Sequence, residues 1–400
     1  MNLNGSLGGA ERALLDLMQA VHQACPNWAL KLVTGSEGDF ATAARRIGID
    51  VHILPLPTTV SQLGDAGAGG PAGSEVSKLA ISGRLSLSAP QLAAYVWKLR
   101  AFATTQEPDL IHSNAFKTHI LAVWAAPRRS KIVWHVHDYV HARPLMSRLM
   151  RIHASGCAVA VTNSHSVARD LDRICRGKLK IHTVYNAVDL ERFNPKGPIL
   201  DLDAMSGLPT APDGTVRVGL IATMARWKGH EAFIRAVAML AKDLPIRAYL
   251  IGGPIYTTVG SQYTLDELRA LVSELGIAQR VGLTGFMKNA DAAVRALDIV
   301  VHASTRPEPF GLVVAEAMAC GKPIVASRTG GVREIISENE NALGYRPGDS
   351  AAMVGCIERL ARDRALREKM GGQARRWAEE RFHPSRLARE VLPIYRSVQK

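Results

Sequence analysis

The stretch Arg-Pro-Glu-Pro-Phe-Gly-Leu-Val-Val-Ala-Glu-Ala-Met-Ala-Cys-Gly-Lys-Pro, residues 306–323, carries the strongest indication of the fold. It follows the apolar run Ile299–Val301, which indicates a buried strand, and Pro309 suits the first turn of a helix. A strand, a polar loop and a helix in this order are typical of a parallel sheet covered by helices. Ligands of such sheets bind beyond the carboxyl ends of the strands. The sequence therefore predicts a binding loop at Glu308 and a following helix that carries Glu316.

The same order of strand and helix repeats along the chain. Predicted strands are short and apolar, and helix-forming runs such as Phe40 to Ile47 and Pro90 to Gln106 separate them, with a Gly- and Ala-rich loop predicted at Asp65 to Gly73. Long alternating strands are missing from the pattern, which favours parallel sheets with helices on both faces. The predicted strands are Leu30–Val33, Val51–Leu54, Leu110–His112, Lys131–Trp134, Ala158–Val161, Val216–Ile221, Ala248–Ile251, Val281–Leu283, Ile299–Val301 and Ile324–Ala326.

A proline-rich stretch divides the repeats into two sets. Four prolines fall between Asn194 and Gly214, which is typical of a linker. We predict an α/β protein of two doubly wound, Rossmann-like domains that face each other across a cleft, where a large polar ligand binds. The predicted bounds are 1–193 for the first domain, 194–214 for the linker, 215–381 for the second domain and 382–400 for a C-terminal helix that packs back toward the first domain.

The charge of the chain predicts an anionic partner. Its net charge is +13, and the segment from Arg84 to Arg151 holds ten Lys or Arg against three acids. Such an excess fits a solvated surface, an anionic membrane surface, phosphates or nucleic acid. The chain shows no helix-turn-helix, RNA-binding aromatic signature or zinc finger, so we do not expect nucleic acid.

Its other features favour the cytoplasm. The apolar runs are shorter than the roughly 18 residues of a membrane span, and the N-terminus lacks the pattern of a signal peptide. The five cysteines are scattered and form no C-x-x-C pair, which supports neither a zinc site nor a disulfide framework. We therefore expect a cytoplasmic protein that is peripheral on the inner face of the plasma membrane if it meets a membrane at all.

Two carboxylates and the start of a helix are the strongest candidate ligand-binding groups. Glu316 follows Glu308 by eight positions, about 12 Å at helical rise, so one carboxylate can bind sugar hydroxyls and the other ribose hydroxyls. The amides of Phe310, Gly311 and Leu312 open the helix and suit a hydroxyl or a phosphate oxygen. The alternative is an amphipathic helix with Glu316 on its wet face, but the apolar neighbours of Glu316 disfavour it.

Two further loops at predicted helix starts offer groups for phosphate binding. Lys228 follows the strand that ends near Ala222 and can neutralise a diphosphate, although a surface lysine at a helix start would look the same. Gly8 and Gly9 precede an apolar-periodic helix and let the backbone approach a ligand closely. Glycine also caps helices for purely local reasons, so this signal is weak alone.

The last candidates are a histidine and two acidic pairs. His137 follows a predicted strand and can hydrogen-bond a sugar hydroxyl, although a histidine there is commonly structural. We expect the neighbouring His135 to point to the opposite face, which disfavours a metal site on the pair. The pairs Asp170/Asp172 and Asp201/Asp203 have the Asp-x-Asp spacing with which metal-dependent transferases hold a cation. Neither pair follows an apolar strand, so we predict solvated acids and no metal.

Taken together, these residues resemble glycosyltransferase family 4, the large retaining family with the two-domain GT-B fold. The resemblance covers nearly the whole chain, and its most specific element is the pair Glu308 and Glu316 with seven residues between them. The other matching stretches are Gly8–Glu11, His137–Asp138, Asn163–Ser164, Val184–Asp189, Trp227–Gly229, Gly285–Phe286, Asp298, Gly330–Glu334 and Pro347–Asp349.

The resemblance implies roles for these residues in sugar transfer from a nucleotide-sugar donor. Glu308 contacts the donor sugar, Glu316 the ribose and Lys228 the diphosphate. His137 reaches the sugar from the other domain, and the loop Gly285-Phe286-Met287 holds the base. The implied reaction retains the anomeric configuration and needs no metal or other cofactor. The implied acceptor is a sugar or a lipid-linked sugar of cell-surface polysaccharide or glycolipid assembly.

Three departures from the family pattern raise further expectations. Only seven residues precede Gly8, whereas a strand normally precedes the Gly-Gly loop, so we expect a truncated N-terminus. Ala187 stands where the family usually has Gly, which we expect to be harmless. Thr223 stands where the family has Arg, five residues before Lys228, and we predict that Arg226 takes over its phosphate contact. A nucleotide-sugar epimerase of the same fold, a basic nucleic-acid-binding protein and a donor-binding pseudoenzyme are the alternatives.

Overall fold

The computed structural model of the chain describes residues 1–58, 78–254 and 260–399, and only the backbone of residues 78–88. The stretch from Asp65 to Gly73, predicted as a loop, lies outside these residues. The described residues form two compact units. Among the described residues, unit 1 comprises 1–58, 78–187 and 384–399, and unit 2 comprises 188–254 and 260–383. Both units are built from parallel strands and helices, so the predicted fold class is confirmed.

Unit 1 holds its strands in two parallel sheets. The first has the order β1-β2 and the second has the order β3-β4-β5-β6. The strands are β1 Lys31–Thr34, β2 Asp50–Ile53, β3 Leu110–Ser113, β4 Lys131–Val136, β5 Val159–Thr162 and β6 Ile181–Thr183. The helices are α1 Gly9–Ala24, α2 Asp39–Arg46, α3 Lys78–Gln106, α4 Phe116–Ala125, α5 Pro144–His153 and α6 His165–Cys175, with α15 Arg386–Gln399 at the end of the chain.

The core of unit 1 lies on both faces of its larger sheet. On one face, the fully buried Trp134 packs with α4, α5 and α6. On the other face, α15 brings Val391 and Tyr395 against Val21 of α1 and Val161 of β5. The C-terminal segment predicted at 382–400 is therefore α15, and it belongs to unit 1 because its apolar side completes this core.

Unit 2 has one parallel sheet of order β12-β11-β10-β7-β8-β9. Its strands are β7 Val216–Ile221, β8 Ile246–Ile251, β9 Val281–Gly285, β10 Ile299–His302, β11 Ile324–Ser327 and β12 Ala342–Tyr345. Its helices are α7 Leu202–Ser206, α8 His230–Met239, α9 Leu265–Glu274, α10 Ala290–Arg295, α11 Leu312–Ala319, α12 Val332–Ile335, α13 Ser350–Arg362 and α14 Arg364–Phe382. All ten predicted strands are present within two residues at either end, whereas β6 and β12 were not predicted.

The division between the units differs from the predicted one. The boundary falls after Ala187 rather than after residue 193, and the stretch from 194 to 214 is folded into unit 2. Its prolines flank a short helix, α7, whose Asp203 is 3% exposed. Proline content marked an irregular segment there, but the buried acid ties that segment to the sheet.

The prediction that both acidic pairs are solvated was wrong for two of the four residues. Asp203 accepts hydrogen bonds from Tyr249 and Arg247 at 2.6 Å. Its burial raises the pKa, but these bonds outweigh burial and hold the pKa at about 2. Asp170 is buried and accepts bonds from the amide of Val140 at 2.7 Å and the ring of His141 at 2.7 Å. Both acids are structural, because each holds a loop or a strand in place.

Candidate active site

The strand order of unit 2 reverses between β7 and β10. The chain adds β8 and β9 on one side of β7 and places β10, β11 and β12 on the other side. In a doubly wound sheet, ligands bind at such a switch point, in the crevice at the carboxyl ends of the strands. Lys228 lies in the loop after β7 and Glu308 in the loop after β10, so the sheet brings these two predicted residues together.

Lys228 and Glu308 form a buried ion pair. The Nζ atom of Lys228 lies 2.7 Å from both carboxylate oxygens of Glu308, and the two side chains are 19% and 12% exposed. Ser304 donates from its hydroxyl to the same carboxylate at 2.9 Å, and His302 lies 3.4 Å from it through Nε2. Three side chains therefore converge on one carboxylate, Lys228 from the loop after β7 and His302 and Ser304 from the end of β10 and the loop after it, and sequence analysis found only Lys228.

Glu308 is ionised in this setting. Burial would raise the pKa of its carboxyl, but the charge of Lys228 and the hydrogen bonds from His302 and Lys228 outweigh burial and hold the pKa well below its usual range. A buried pair of this kind has fixed geometry and little screening by water. The site therefore presents a fixed negative charge beside a fixed positive one.

A glycine and two hydrogen bonds clamp the loops that carry this pair. Lys228 ends a single 3-10 turn, and the next residue, Gly229, has φ +82°. A Cβ atom at Gly229 would lie 1.9 Å from the carbonyl oxygen of Ala303. Thr305 donates to the carbonyl of Trp227 through both its amide and its hydroxyl. The main chain after β7 therefore touches the main chain after β10, which requires glycine at position 229.

The loop of Glu308 is held from the other side by the loop after β11. The amide of Gly331 donates to the carbonyl of Glu308 at 2.7 Å. A Cβ atom at Gly331 would lie 2.2 Å from the carbonyl oxygen of Pro309. The glycines near residue 330 therefore position Glu308, a role that their match to the family pattern did not reveal.

Helix α11 carries Glu316 and differs from the prediction in its start. The helix begins at Leu312, and Gly311 caps it with φ +95°. Glu308 and Phe310 precede the helix, so the estimate of 12 Å from helical rise does not apply to the two carboxylates. Glu316 is half-buried on the same side as Leu312. Phe310 is buried against Phe382, so its side chain serves the core.

The side chain of Arg226 contacts other residues of unit 2. Its guanidinium donates to Glu267 at 2.7 Å and to the carbonyl of Gly260 at 3.1 Å, and lies 4.3 Å from the centre of the Tyr263 ring. A diphosphate contact through Arg226 stays a prediction. Thr223 is half-buried in the same loop.

On the other side of β7, a glycine lies at the carboxyl end of each of the strands β8 and β9. Gly285 ends β9 with φ +73°, and the amide of Gly252 donates to its carbonyl at 3.0 Å. The next residue, Phe286, is 66% exposed although it is aromatic. An exposed ring beside close-packed main chain is suited to stacking on a flat ligand group. The second glycine loop, after β8, was missed by sequence analysis.

In unit 1, His137 belongs to a chain of hydrogen bonds that begins at the Gly-Gly helix. Asn114, at the end of β3, donates to the carbonyl of Ala10 at 3.1 Å and lies 2.7 Å from Nε2 of His137. Because the Asn114 amide nitrogen is used by Ala10, its oxygen faces the ring, and Nε2 carries the proton. Nδ1 is then an acceptor, and it is buried without a partner among the described residues.

The environment of His137 keeps the ring neutral. Burial lowers its pKa to about 4. Gly8 caps α1 and Gly9 begins it, and a Cβ atom at Gly9 would meet nothing within 4 Å. Asn114 was not singled out by sequence analysis, and only its place at the end of a strand would have indicated it.

The prediction that His135 and His137 face opposite ways was wrong. Their ring centroids are 3.9 Å apart, because residues two positions apart in a strand share a face. His135 contacts His112 at 3.2 Å, and Tyr395 of α15 lies 2.7 Å from His112. In the described part of the chain, no group of three or more His, Cys, Asp or Glu residues is placed to hold a metal ion.

Comparisons with known proteins match both units. The model of Glycosyltransferase Family 4 matches residues 7–192, and that of the group 1 glycosyl transferases matches residues 209–377. The N-acetyl-alpha-D-glucosaminyl L-malate synthase of Bacillus anthracis is 26% identical over 318 residues, 77% of this chain and 80% of that protein. The lipopolysaccharide core biosynthesis glycosyltransferase LpsD of Rhizobium meliloti is 31% identical over 205 residues, 51% of this chain and 54% of that protein.

A solved structure shows the same fold over the full length. The crystal structure of Anabaena HepE in complex with UDP superposes with a TM-score of 0.77 at 24% identity, and covers 99% of this chain and 98% of that one. The helices that the structure describes include none with the length and hydropathy of a membrane span.

Proposed function

Because this chain belongs to glycosyltransferase family 4, whose members have the GT-B fold, we propose that it moves a sugar from a nucleoside diphosphate to an acceptor with retention at the anomeric carbon and without a metal ion. The matching family model and relatives such as LpsD are named for glycosyl transfer, which supports transfer rather than epimerisation. The single observation that carries the proposed mechanism is the buried pair of Lys228 and Glu308 at the switch point of unit 2.

The pair matches the charges that develop during transfer. As the glycosidic bond breaks, negative charge grows on the leaving diphosphate and positive charge on the sugar ring. Lys228 sits where it can shift from Glu308 to a phosphate oxygen, and the start of α11 adds a partial positive charge. Glu308, held ionised by its surroundings, can then stabilise the sugar ring. Groups fixed before the reaction stabilise a transition state without a reorganisation cost.

Positive charge from the protein is what supports transfer without a metal ion. A metal in such enzymes neutralises the diphosphate, and Lys228 with the α11 amides supplies the same kind of charge. The neutral acceptor nitrogen of His137 suits a sugar hydroxyl, and the exposed Phe286 suits a base. Glu316, half-buried on α11, suits the two hydroxyls of a ribose. These assignments follow the family pattern residue by residue.

The acceptor side is proposed to meet an anionic membrane surface. Helix α5 exposes Leu145 and Ile152, which are 39% and 61% exposed, next to the exposed Arg148 and Arg151. Apolar and basic residues on one exposed helix side suit the interface of an anionic bilayer. LpsD by its name acts in lipopolysaccharide core biosynthesis. A lipid-linked acceptor of cell-surface polysaccharide or glycolipid assembly is therefore proposed.

Nucleotide screening tests the donor half of the proposal. Uridine, guanosine, adenosine and thymidine diphosphates and their sugars are added to the chain, and thermal unfolding is followed. A ligand at 100 times its Kd adds about 2.7 kcal/mol of stability, and Lys228→Ala and Glu316→Ala should reduce that gain. Stabilisation by none of these nucleotides would contradict donor binding.

Product analysis tests the other half. With the donor that binds, transfer is measured with and without EDTA, and the anomeric configuration of the product is determined by NMR. Equal rates with EDTA and a retained configuration are expected. Loss of transfer on chelation, with rescue by a divalent ion, would contradict the metal-independent reaction, and an inverted product would contradict retention.

A further inference from the structure

Two side chains besides Lys228 bind one particular oxygen of the Glu308 carboxylate. Ser304 donates from its hydroxyl to Oε2 at 2.9 Å, and Nε2 of His302 lies 3.4 Å from the same oxygen. Ser304 and His302 are both buried. The Nζ atom of Lys228 lies 2.7 Å from Oε1 and 2.7 Å from Oε2. Oε2 therefore has two donors that do not depend on the lysine.

The surroundings of His302 decide which of its ring nitrogens carries the proton. A carboxylate oxygen only accepts hydrogen bonds, so Nε2 of His302 is the donor toward Glu308. Nδ1 is buried and has no partner among the described residues. The neutral ring with its proton on Nε2 therefore leaves no buried N–H group without an acceptor.

Strands β11 and β12 hold these two donors in place. Ser327 of β11 donates to the carbonyl of Ser304 at 2.7 Å, and Tyr345 of β12 donates to the carbonyl of His302 at 3.1 Å. Ser327 and Tyr345 are themselves buried in the sheet. Because both neighbouring strands fix the main chain, the positions of the two donors do not depend on where Lys228 lies.

We propose that Ser304 and His302 are positioning residues, which divide the Glu308 carboxylate into a fixed oxygen and an oxygen that faces the substrate. When Lys228 shifts to the diphosphate, Oε2 keeps both donors, whereas Oε1 loses its bond to the lysine. Oε1 is then the oxygen that faces the sugar ring. This inference rests on the proposed sugar transfer and adds how its carboxylate is aimed.

The aim of the carboxylate should matter for the rate more than for binding. The last torsion of a glutamate side chain is broad, so donors on one oxygen are needed to set the plane of the group. A misplacement of 1 Å near reacting atoms can cost about a hundredfold in rate. The positive charge on the sugar ring develops only in the transition state, so its loss of stabilisation appears in kcat.

Substitutions of the two donors test the proposal in the full chain. The probes are uridine, guanosine, adenosine and thymidine diphosphates and their sugars. Ser304→Ala and His302→Phe each remove one donor, and each should lower kcat roughly tenfold or more while the Kd of the nucleoside diphosphate stays unchanged. His302→Gln should restore most of the rate, because its amide N–H can replace Nε2–H.

Ser206→Ala is the matched control for the loss of a serine hydroxyl in unit 2. The hydroxyl of Ser206 donates to the carbonyl of Leu202 within α7 at 2.6 Å, away from the carboxylate of Glu308. This variant should keep the wild-type kcat and Kd. A loss of kcat in Ser206→Ala as large as that in Ser304→Ala would overturn the proposal.

A double-variant cycle shows whether Ser304 acts through the carboxylate. If it acts only by fixing Glu308, Ser304→Ala should have no further effect on kcat in a chain that already carries Glu308→Ala. Additive losses would overturn the proposal. Wild-type kcat in both Ser304→Ala and His302→Phe would also overturn it, and so would a loss of nucleotide affinity as large as the loss of kcat.

NMR of the ligand-free wild-type chain gives a measurement that depends neither on sugar transfer nor on a variant folding. The imidazole nitrogens of His302 should show the neutral tautomer with the proton on Nε2. A proton on Nδ1 alone would overturn the proposal even in a chain that transfers sugar. A wild-type chain with the expected tautomer that transfers no sugar would overturn the proposed function, and the role of both donors in it.

Discussion

In the proposed reaction, the carboxylate of Glu308 interacts with Lys228 before the donor binds and with the donor sugar afterwards. The Nζ atom of Lys228 lies 2.7 Å from both carboxylate oxygens of Glu308, which holds the lysine in the site and keeps the carboxylate ionised. In the proposed reaction, Lys228 shifts toward a diphosphate oxygen while Glu308 keeps the hydrogen bond from Ser304. One ion pair can therefore stabilise both charges of the proposed transition state, the negative charge on the diphosphate and the positive charge on the sugar ring.

Substitution separates the roles of the two carboxylates. We expect Glu308→Gln to lower kcat and Glu316→Gln mainly to weaken donor binding, because only Glu308 meets the charge that develops on the sugar. Loss of one charge-assisted contact costs about 1.5–3 kcal/mol, or roughly ten- to a hundredfold in the affected constant. Steady-state kinetics and donor titration measure the two effects.

The double variant Glu308→Gln with Lys228→Met is the stability control for this test, since it removes both buried charges together. It should unfold at a higher temperature than Glu308→Gln alone, which leaves the lysine buried without its counter-ion. Near-wild-type kinetics in both single carboxylate variants would refute the assignment.

His137 provides the second test at this scale. With Nε2–H fixed by Asn114, its Nδ1 is an acceptor, and we expect His137→Phe to lower kcat at least tenfold while nucleoside diphosphate binding stays unchanged. Asn114→Leu removes the group that fixes the tautomer, and a smaller loss of the same kind is expected. Calorimetric titration with the nucleotide accompanies the kinetics. An equal loss of nucleotide affinity in His137→Phe would show a role in donor phosphate binding instead.

At this scale, the sequence could predict a site residue only where a local sequence pattern marked it. Glu308, Glu316 and Lys228 stand in recognisable loops and helices, so their types and places were predictable. Asn114 and Ser304 carry no local signal, because their importance comes from strand ends that only the folded sheet brings together. Asp203 had the appearance of a solvated acid, since its partners Arg247 and Tyr249 lie more than forty residues away in sequence.

At the scale of elements, tight loops set the position of the site. Three glycines at positions 229, 311 and 331 allow the loops after β7, β10 and β11 to meet. The strands themselves were predictable, because buried parallel strands are continuous apolar runs. β6 was missed since it is three residues long, and β12 because Gly344 interrupts an apolar run of only four residues.

Gly331→Ala tests the loop contact. Its added Cβ atom would lie 2.2 Å from the carbonyl oxygen of Pro309, so the backbone that carries Glu308 must move. Overpacking of this kind typically costs about 1–3 kcal/mol, and kcat should fall with stability. Gly355→Ala is the matched control, because its Cβ would meet nothing within 4 Å inside helix α13. In Gly355→Ala, chemical denaturation should show a free energy of unfolding equal to or higher than that of the wild type. Wild-type stability in Gly331→Ala would contradict the contact.

At the scale of the whole molecule, unit 1 carries a set of neutral buried histidines. Burial lowers the pKa of His112 to about 3 and of His137 to about 4. Burial likewise places the pKa values of His119 and His135 well below the ordinary value. Folding therefore excludes protons that the unfolded chain takes up, which makes stability depend on pH.

The direction of this dependence follows from the lowered pKa values. The stabilising effect of the neutral rings is fully present above the unfolded pKa of about 6.5, and it is lost as pH falls toward the folded values of about 4 and 3. We expect Tm to fall steadily between pH 6.5 and pH 4. The variant His112→Phe should flatten the decline, whereas His383→Gln, at an exposed position, should not. A Tm that is constant over this range would refute the prediction.

Membrane binding is the other property of the whole molecule that its charge predicts. A net charge of +13 attracts any anionic surface, but only part of it is placed beside apolar side chains. In α5, Arg148 and Arg151 flank the exposed Ile152, so that helix should lie at the interface.

Each basic residue near such a surface adds about 1 kcal/mol. Arg148→Gln with Arg151→Gln should therefore weaken sedimentation with phosphatidylserine vesicles roughly thirtyfold at low salt, and Ile152→Ser should weaken the binding that persists at high salt. Arg269→Gln with Arg364→Gln, two exposed arginines of unit 2, is the control for net charge. Equal binding to neutral and anionic vesicles, or an equal loss in the control, would show that α5 is not the contact.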